Sequence, residues 1–238
     1  MTGEDITRGA AVKRLDPDLI PISPDLAFER ALWQAGAVSL AGLDEAGRGA
    51  LAGPVSAAAV VLPGDDPAVE NRLPGVRDSK QMTAQQREQA RYAIQEVALS
   101  WGIGFADAEE IDLWGIVPAT RLAMQRALDK LSRIPEHLLI DCLLLPDCPL
   151  AQTSLIKGDQ RSLSIAAASV LAKTTRDAMM RDLDRVYPEY GFSEHKGYGT
   201  TAHLNAIARF GPSPLHRQSF APLKSLEECT TETLSQSK

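Results

Sequence analysis

The chain has 238 residues, of which 44% are hydrophobic and 24% charged. Its net charge of −6 argues against a strongly basic nucleic-acid binder but is compatible with a local basic groove. This length and composition are those of an ordinary globular protein with a buried core. The three cysteines include no CxxC pair, which suggests a reducing compartment. No apolar segment has membrane-spanning length, and no secretion signal is found. We therefore expect a cytoplasmic protein with no membrane partner.

The N-terminal half predicts a tail, a helix and three strands. Residues 1–24 are rich in charge, proline and serine and predict a mobile tail, and "LAFERALWQAG" predicts a helix that ends at Gly36. "AVSLAGLD" and "VSAAAVVLP" predict two strands that pair antiparallel, because the segment between them is too short for a crossover helix. "LSWGIGFAD" predicts a third strand, and a capping-box spacing predicts a helix from Asp107 to Leu131.

The C-terminal half alternates strands and helices. "HLLID" and "AQTSLIKGD" predict strands, and "SLSIAAASVLAKTTRDAMMRDLDRVY" predicts a long helix that stops before Pro188 and packs its alanines closely on a sheet. Short helices are predicted at "TAHLNAIARF" and after Pro214, followed by a disordered tail over residues 223–238. The order of elements predicts an α/β fold, a mixed sheet covered by helices, in one domain over residues 25–222.

Carboxylates end two of the predicted strands. Asp44 and Glu45 are adjacent at the end of an apolar run, and burying such a pair without a cation is costly, so we favour a divalent metal there. Both carboxylates reach one metal only if the strand ends or bulges, since consecutive strand residues point to opposite faces. Asp141 ends "HLLI" and is either another ligand or a turn former.

Two further aspartates have competing interpretations. Asp159 lies just before the long predicted helix, and on the sequence alone helix capping is preferred to metal ligation. Asp177 lies within that helix between Arg176 and Arg181, and a solvated ion pair is the better interpretation.

Glycine and basic residues accompany the acidic ones. "GRG" at 47–49 lacks the ending of a P-loop, so it is either a tight turn or a backbone contact for a phosphate or a sugar hydroxyl. "EHKGYGTTAH" supplies cationic and aromatic groups in a loop before a helix, which is either loop decoration or a nucleic-acid contact. Lys157, Arg161 and Lys173 add positive charge near the acidic positions, which is natural for a site that binds metal and polyphosphate together.

Together these motifs resemble bacterial ribonuclease HII over roughly residues 38–222. The matching motifs, in chain order, are "GLDEAGRGALAGPVSAAAVVL", "DSK" at 78–80, "LLID" at 138–141, "KGD" at 157–159, "SIAAASVLAKTTRD" at 164–177 and "HKGYGT" at 195–200. The resemblance implies a ribonuclease H-like fold with a helical C-terminal portion. It also implies a Mg2+- or Mn2+-dependent endonuclease that binds RNA–DNA hybrids and ribonucleotide-containing DNA duplexes. We expect a monomer, although an acidic surface is compatible with a monomer or a dimer.

The resemblance also assigns roles to individual residues. Asp44, Glu45 and Asp141 become metal ligands, and Asp159 becomes the fourth acidic catalytic residue, which overrides its capping interpretation. The implied substrate contacts are Gly47, Arg48, Gly49, Lys80, Lys157, Lys173, Lys196 and Tyr198. In this scheme the GRG turn contacts the ribose 2′-hydroxyl, and Tyr198 stacks on the deoxyribose that follows the ribonucleotide.

Two residues depart from the family pattern. Ala50 stands where proline is usual, and Cys142 stands where glycine usually follows the strand aspartate. We expect both changes to leave activity intact, although Cys142 adds a thiol beside a ligand. The rival hypotheses are a hybrid-binding module that has lost its chemistry, which the filled acidic positions disfavour, and a metal-stabilised structural protein, which leaves GRG and HKGYGT unexplained.

Overall fold

The computed structural model of the chain describes residues 20–224. The strands are β1 (Leu40–Ala46), β2 (Val55–Val61), β3 (Ser100–Ala106), β4 (His137–Asp141) and β5 (Ala151–Leu155). The α-helices are α1 (Ala27–Gln34), α2 (Val69–Arg72), α3 (Ala84–Val97), α4 (Ala108–Trp114), α5 (Ile116–Leu128), α6 (Leu163–Val186), α7 (Phe192–His195) and α8 (Thr201–Phe210). Single 3-10 turns cover Ser79–Gln81, Gly158–Gln160 and Pro188–Tyr190.

The five strands form one mixed sheet in the order β3-β2-β1-β4-β5. β1 pairs antiparallel with β2, and β2 pairs antiparallel with β3. β4 runs parallel to β1 and to β5. The predicted mixed sheet and the antiparallel pairing of its first two strands are therefore confirmed.

Helices cover both faces of the sheet, as predicted. Side chains of β2 alternate between two buried clusters, with Ala58 and Val60 packing toward α3 and α6 and Ala57 and Ala59 packing toward α5. This alternation follows from the two-residue period of a strand, and burial on both faces explains why the β2 sequence is apolar throughout.

Helix α6 lies against β1 at backbone contact distance. A Cβ atom at Gly42 would stand 2.2 Å from the carbonyl carbon of Ser164, a separation that no side chain can occupy. Ala166, Ala167 and Ala168 are fully buried in the same helix, which confirms the close packing expected of them. Ser162 caps the helix by accepting a hydrogen bond from the Ile165 N–H at 3.3 Å.

The C-terminal part of the fold is built around aromatic rings. Tyr190 and Phe192 stack with their ring centroids 5.4 Å apart. His203 and His216 lie beside them, and their Nε2 atoms are 3.0 Å apart in a hydrogen bond. These contacts join α7 and α8 to the segment around residue 216.

Three sequence predictions need correction. The helix predicted from Asp107 to Leu131 is two helices, because Gly115 adopts a positive φ of 83° between α4 and α5. Residues 214–222 form turns and one isolated bridge, so the helix predicted after Pro214 begins no earlier than residue 223 and is described only over 223–224. Helix α3 was not predicted, although Thr83 and Gln86 form a complete capping box at its start.

Two other predictions fall mostly outside the described residues. Of the predicted tails over 1–24 and 223–238, the structure describes only residues 20–24 and 223–224.

Within residues 20–224, no helix combines the length and the hydropathy that crossing a membrane requires.

Candidate active site

Two parallel strands bring Asp44 and Asp141 together. The register of β1 and β4 pairs Leu43 with Ile140, so the next residue of each strand is an aspartate. Leu43 and Ile140 both pack into the cluster under α5, and their successors therefore point to the opposite face, toward α6. The two carboxylates lie side by side at the carboxyl ends of neighbouring strands.

Asp159 completes the group from the turn that precedes α6. The Gly158 N–H donates a hydrogen bond of 2.7 Å to Asp141 Oδ1, which holds this turn against the end of β4. Carboxylate oxygens of Asp44, Asp141 and Asp159 all lie within 4.8 Å of one another. Because Ser162 caps α6, the capping interpretation of Asp159 is wrong.

The three carboxylates repel one another in a site with little solvent. Burial, with the charges of Glu45, Asp141 and Asp159, raises the pKa of Asp44 well above its usual range. Burial and the charges of Asp141 and Asp78 raise the pKa of Asp159 to about 7. A hard divalent cation would remove this repulsion with oxygen ligands alone, so the group suits Mg2+ or Mn2+.

Lys80 is a cation beside this group. Burial lowers the pKa of its ammonium, but the charges of Asp78, Asp159 and Asp44 outweigh burial and raise it. One ammonium, on an exposed lysine, opposes three close carboxylates, so a net negative charge remains.

Glu45 lies apart from the three-aspartate group. β1 continues through Glu45 to Ala46 in unbroken register. The strand therefore neither ends nor bulges after Asp44, and one of these was required for both carboxylates to reach the same metal. Glu45 Oε1 accepts a hydrogen bond of 3.1 Å from Arg48, whereas its buried Oε2 has no hydrogen-bond partner in the described part of the chain. Burial raises the pKa of Glu45 although Arg48 opposes it, and the charge of Asp141 adds to the increase.

The GRG turn follows β1 directly. Gly47 has a φ of 92°, and a Cβ atom there would lie 2.0 Å from Arg176 Nε, so both its backbone and its surroundings require glycine. Gly49 has open space around it. The turn therefore presents its backbone to solvent at Gly49, next to Arg48, whose side chain is held by Glu45.

An open cavity of about 480 Å³ connects several of the predicted substrate contacts. Its lining residues are Glu45, Ala46, Gly47, Arg48, Gly49, Ser79, Lys80, Lys173 and Tyr198. Tyr198 is 36% exposed, and Lys173 Nζ lies 5.9 Å from the centre of its ring. A partly exposed aromatic face between cations and an open backbone turn has the character of a nucleic-acid contact surface.

The remaining predicted cations have other surroundings. Lys157 is exposed and holds a left-handed φ of 53°. The Lys196 ammonium donates to the Ser193 carbonyl, and burial lowers its pKa. Neither of these lysines lines the cavity.

The ion pair predicted for Asp177 exists with a different partner and in a different environment. Asp177 is buried and accepts a hydrogen bond of 2.7 Å from Lys173, one turn earlier in α6. Arg176 points into the protein instead, so the solvated pairing with Arg176 and Arg181 is wrong.

Sequence reasoning overlooked two fully buried arginines behind the cavity. Arg176 and Arg217 are both 0% exposed, and all their hydrogen bonds from the guanidinium go to backbone carbonyls. Charged residues are expected at the surface, so Arg176 was considered only beside Asp177 in a solvated ion pair and Arg217 was not considered.

Comparison with known proteins agrees with this geometry. A family model described as Ribonuclease HII matches residues 41–223. The ribonuclease HII of Geobacillus kaustophilus is 54% identical over 199 residues, covering 84% of this chain and 74% of the relative. That of Chloroflexus aurantiacus is 54% identical over 203 residues, covering 84% of this chain and 94% of the relative. The crystal structure of ribonuclease H2 from Pyrococcus horikoshii matches with a TM-score of 0.67 at 25% identity, over 82% of this chain and 99% of that one.

Proposed function

The chain belongs to the ribonuclease HII family and is therefore an endoribonuclease acting on RNA–DNA hybrids, and we propose that it also cuts duplex DNA 5′ of a single embedded ribonucleotide. The products of both reactions would be a 3′-hydroxyl and a 5′-phosphate. The observation that carries the proposal is the juxtaposition of the three-aspartate group with a cavity lined by the GRG turn and Tyr198.

The acidic residues would hold the divalent metal. Asp44, Asp141 and Asp159 supply closely spaced oxygens for one cation, and Glu45, outside that group, would offer its buried Oε2, which has no hydrogen-bond partner among residues 20–224, to a second cation. When bound, Mg2+ or Mn2+ supplies positive charge that favours ionisation of an attacking water and stabilises the leaving 3′-oxygen. Lys80, with its raised pKa, stays protonated and keeps a positive charge beside the site.

The GRG turn would recognise the ribose. Only RNA carries a 2′-hydroxyl, and this group both donates and accepts hydrogen bonds, so closely approaching backbone groups distinguish RNA from DNA. The open space at Gly49 permits that approach, and the contact between Gly47 and Arg176 holds the turn in place.

Tyr198 and the lysines would bind the strand around the ribonucleotide. The exposed face of Tyr198 suits stacking on the deoxyribose that follows, where a 2′-hydroxyl would crowd the ring. Lys80 and Lys173 line the same cavity and suit phosphate contacts. Lys157 and Lys196 are assigned to phosphates further along the duplex.

Cleavage of a defined duplex tests the proposal. The substrate is an end-labelled DNA duplex holding one ribonucleotide, with a continuous RNA–DNA hybrid alongside, each incubated with Mg2+ or Mn2+. Wild type is compared with Asp44→Asn, which removes one charge from the three-aspartate group, and with the matched control Asp66→Asn, which removes a charge in an exposed ion pair with Arg72.

We expect a cut 5′ of the ribonucleotide by wild type and by Asp66→Asn, and none by Asp44→Asn. Cleavage of the hybrid alone would overturn the assigned roles of Tyr198 and the GRG turn while leaving the family activity intact. Binding of both duplexes without metal and without a cut would instead favour a binding module that lacks the chemistry.

A further inference from the structure

Arg176 joins two segments that border the cavity. Its Nε donates to the Pro54 carbonyl at 2.8 Å, one terminal nitrogen to the Ala52 carbonyl at 3.1 Å, and the other to the Lys196 carbonyl at 2.9 Å. The first two acceptors lie between the GRG turn and β2, and the third lies two residues before Tyr198. The guanidinium therefore connects the segment after GRG with the segment that carries the tyrosine.

Placing this charge inside the protein is costly. Arg176 is 0% exposed and forms no ion pair with any carboxylate in the described part of the chain. Burial lowers the pKa of its guanidinium. A neutral or smaller side chain would avoid that cost, so the position needs what a guanidinium alone supplies: rigid, planar N–H donors that reach several acceptors at once.

Arg176 also contacts both recognition elements directly. Its Nε occupies the space where a side chain at Gly47 would be, 2.0 Å from the missing Cβ. Its guanidinium carbon lies 5.6 Å from the centre of the Tyr198 ring. A backbone hydrogen bond of 2.8 Å from Leu51 N–H to the Gly197 carbonyl links the same two segments. The distance between the turn and the aromatic ring is thus set by Arg176 together with this backbone link.

We propose that Arg176 is a positioning residue that holds Tyr198 at a set distance from the GRG turn and thereby determines the preference for a ribonucleotide–deoxyribonucleotide junction. This inference rests on the proposed function of the same site. Arg176 touches no substrate, and its effect is on specificity through Tyr198. A displacement of the ring by about 1 Å is enough to change rates by about a hundredfold in positioned reactions.

Arg217 offers a matched control. It is also 0% exposed, and its guanidinium makes three hydrogen bonds to carbonyls, two to Gly53 at 3.1 and 2.8 Å and one to Arg48 at 2.8 Å. None of these acceptors belongs to residues 195–200. Replacing it by lysine removes a comparable set of buried hydrogen bonds, including the one that holds the GRG turn at Arg48, without releasing the tyrosine segment, and a change in the turn acts on both substrates because both present a ribose.

The experiment measures kcat/KM on the single-ribonucleotide duplex and on the continuous hybrid, and takes their ratio, for wild type, Arg176→Lys, Arg217→Lys and Tyr198→Ala. We expect Arg176→Lys to lower the ratio about tenfold, toward the value for Tyr198→Ala, and to add nothing in the double variant with Tyr198→Ala. Arg217→Lys lowers both rates together and leaves the ratio near that of wild type. If the lysine variants do not fold, Arg176→Gln and Arg217→Gln are compared by the same ratio.

The outcomes separate the two proposals. If Tyr198→Ala lowers the ratio while Arg176→Lys changes it no more than Arg217→Lys does, the positioning role is refuted and the proposed function stands. If Tyr198→Ala leaves the ratio unchanged, the junction role of the tyrosine fails and the positioning role fails with it.

Discussion

Replacing Asp159 by asparagine should stabilise the metal-free protein while abolishing cleavage. Burial and the charges of Asp141 and Asp78 raise the pKa of Asp159 to about 7, whereas the carboxyl titrates near 3.8 in the unfolded chain. The folded protein therefore binds an extra proton between these values, and its stability falls as the pH rises from 3.8 through about 7. Asparagine carries no charge at either pH and removes this loss.

The magnitude follows from the two pKa values. Each pKa unit corresponds to about 1.4 kcal/mol, so the difference between the unfolded and folded pKa values removes about 4 kcal/mol of unfolding free energy at high pH. About 2.6 kcal/mol of this is lost between pH 5 and pH 8. Charges in proteins interact more weakly than complete burial implies, so we expect about half, or about 1 kcal/mol, over that interval. For a domain of this size that corresponds to about 2–4 °C in Tm.

Thermal unfolding in EDTA at about pH 5 and about pH 8 is the assay. The Tm of Asp159→Asn minus that of wild type should increase by about 2–4 °C between the two values, while Asp66→Asn, at an exposed ion pair, shows no such increase. Excess Mg2+ should raise the Tm of wild type more than that of the variant, because binding to the folded state adds stability. A difference that stays constant or shrinks toward pH 8 would refute the argument that the metal-free carboxylates repel one another.

Three further predictions follow from the local geometry. Cys142→Gly should raise the unfolding free energy by about 1 kcal/mol in denaturant titrations and retain cleavage, because Cys142 holds a φ of 54° that glycine adopts without strain; a loss of stability would show that the thiol makes a compensating contact. Gly47→Ala should reduce kcat/KM by at least about tenfold and lower Tm, because its Cβ would strike Arg176 at 2.0 Å; wild-type kinetics would contradict that contact. Burial lowers the pKa of His216 to about 4, so the free energy of unfolding should fall by about 1–2 kcal/mol as the pH drops from about 6.5 to about 4. Urea unfolding of wild type and of His216→Gln over this pH range measures the effect. An equal pH dependence of the two proteins would show that the ring is accessible to protons in the folded state.

Local sequence patterns predicted the parts of the fold that depend on them. The two-residue alternation and the apolar run of β2 were sufficient for the strands, and the turn after β1 was too short for anything but an antiparallel pair. Helix α3 and the break at Gly115 were not recognised, because a mostly polar helix gives a weak apolar signal and a single glycine inside a helical pattern is usually tolerated.

The sequence identified the acidic residues of the site but not the arrangement of all of them. Asp44 and Asp141 end the two strands as the sequence predicts them, which indicated a shared edge of the sheet, although β1 runs two residues further, to Ala46. The place of Asp159 depends on how the turn before α6 meets β4, a contact between segments far apart in the chain. Arg176 and Arg217 were overlooked for the same reason, since their acceptors are backbone carbonyls that no side-chain pattern reveals.

The contact between Gly42 and Ser164 has a consequence for any redesign of the site. The separation of β1 and α6 there is set by two touching backbones and not by side chains. The carboxylate of Asp141 then fixes the turn that carries Asp159 through its hydrogen bond from Gly158. A variant intended to admit a cation larger than Mn2+ must shift the whole helix, and Gly42 is the residue at which that shift would begin.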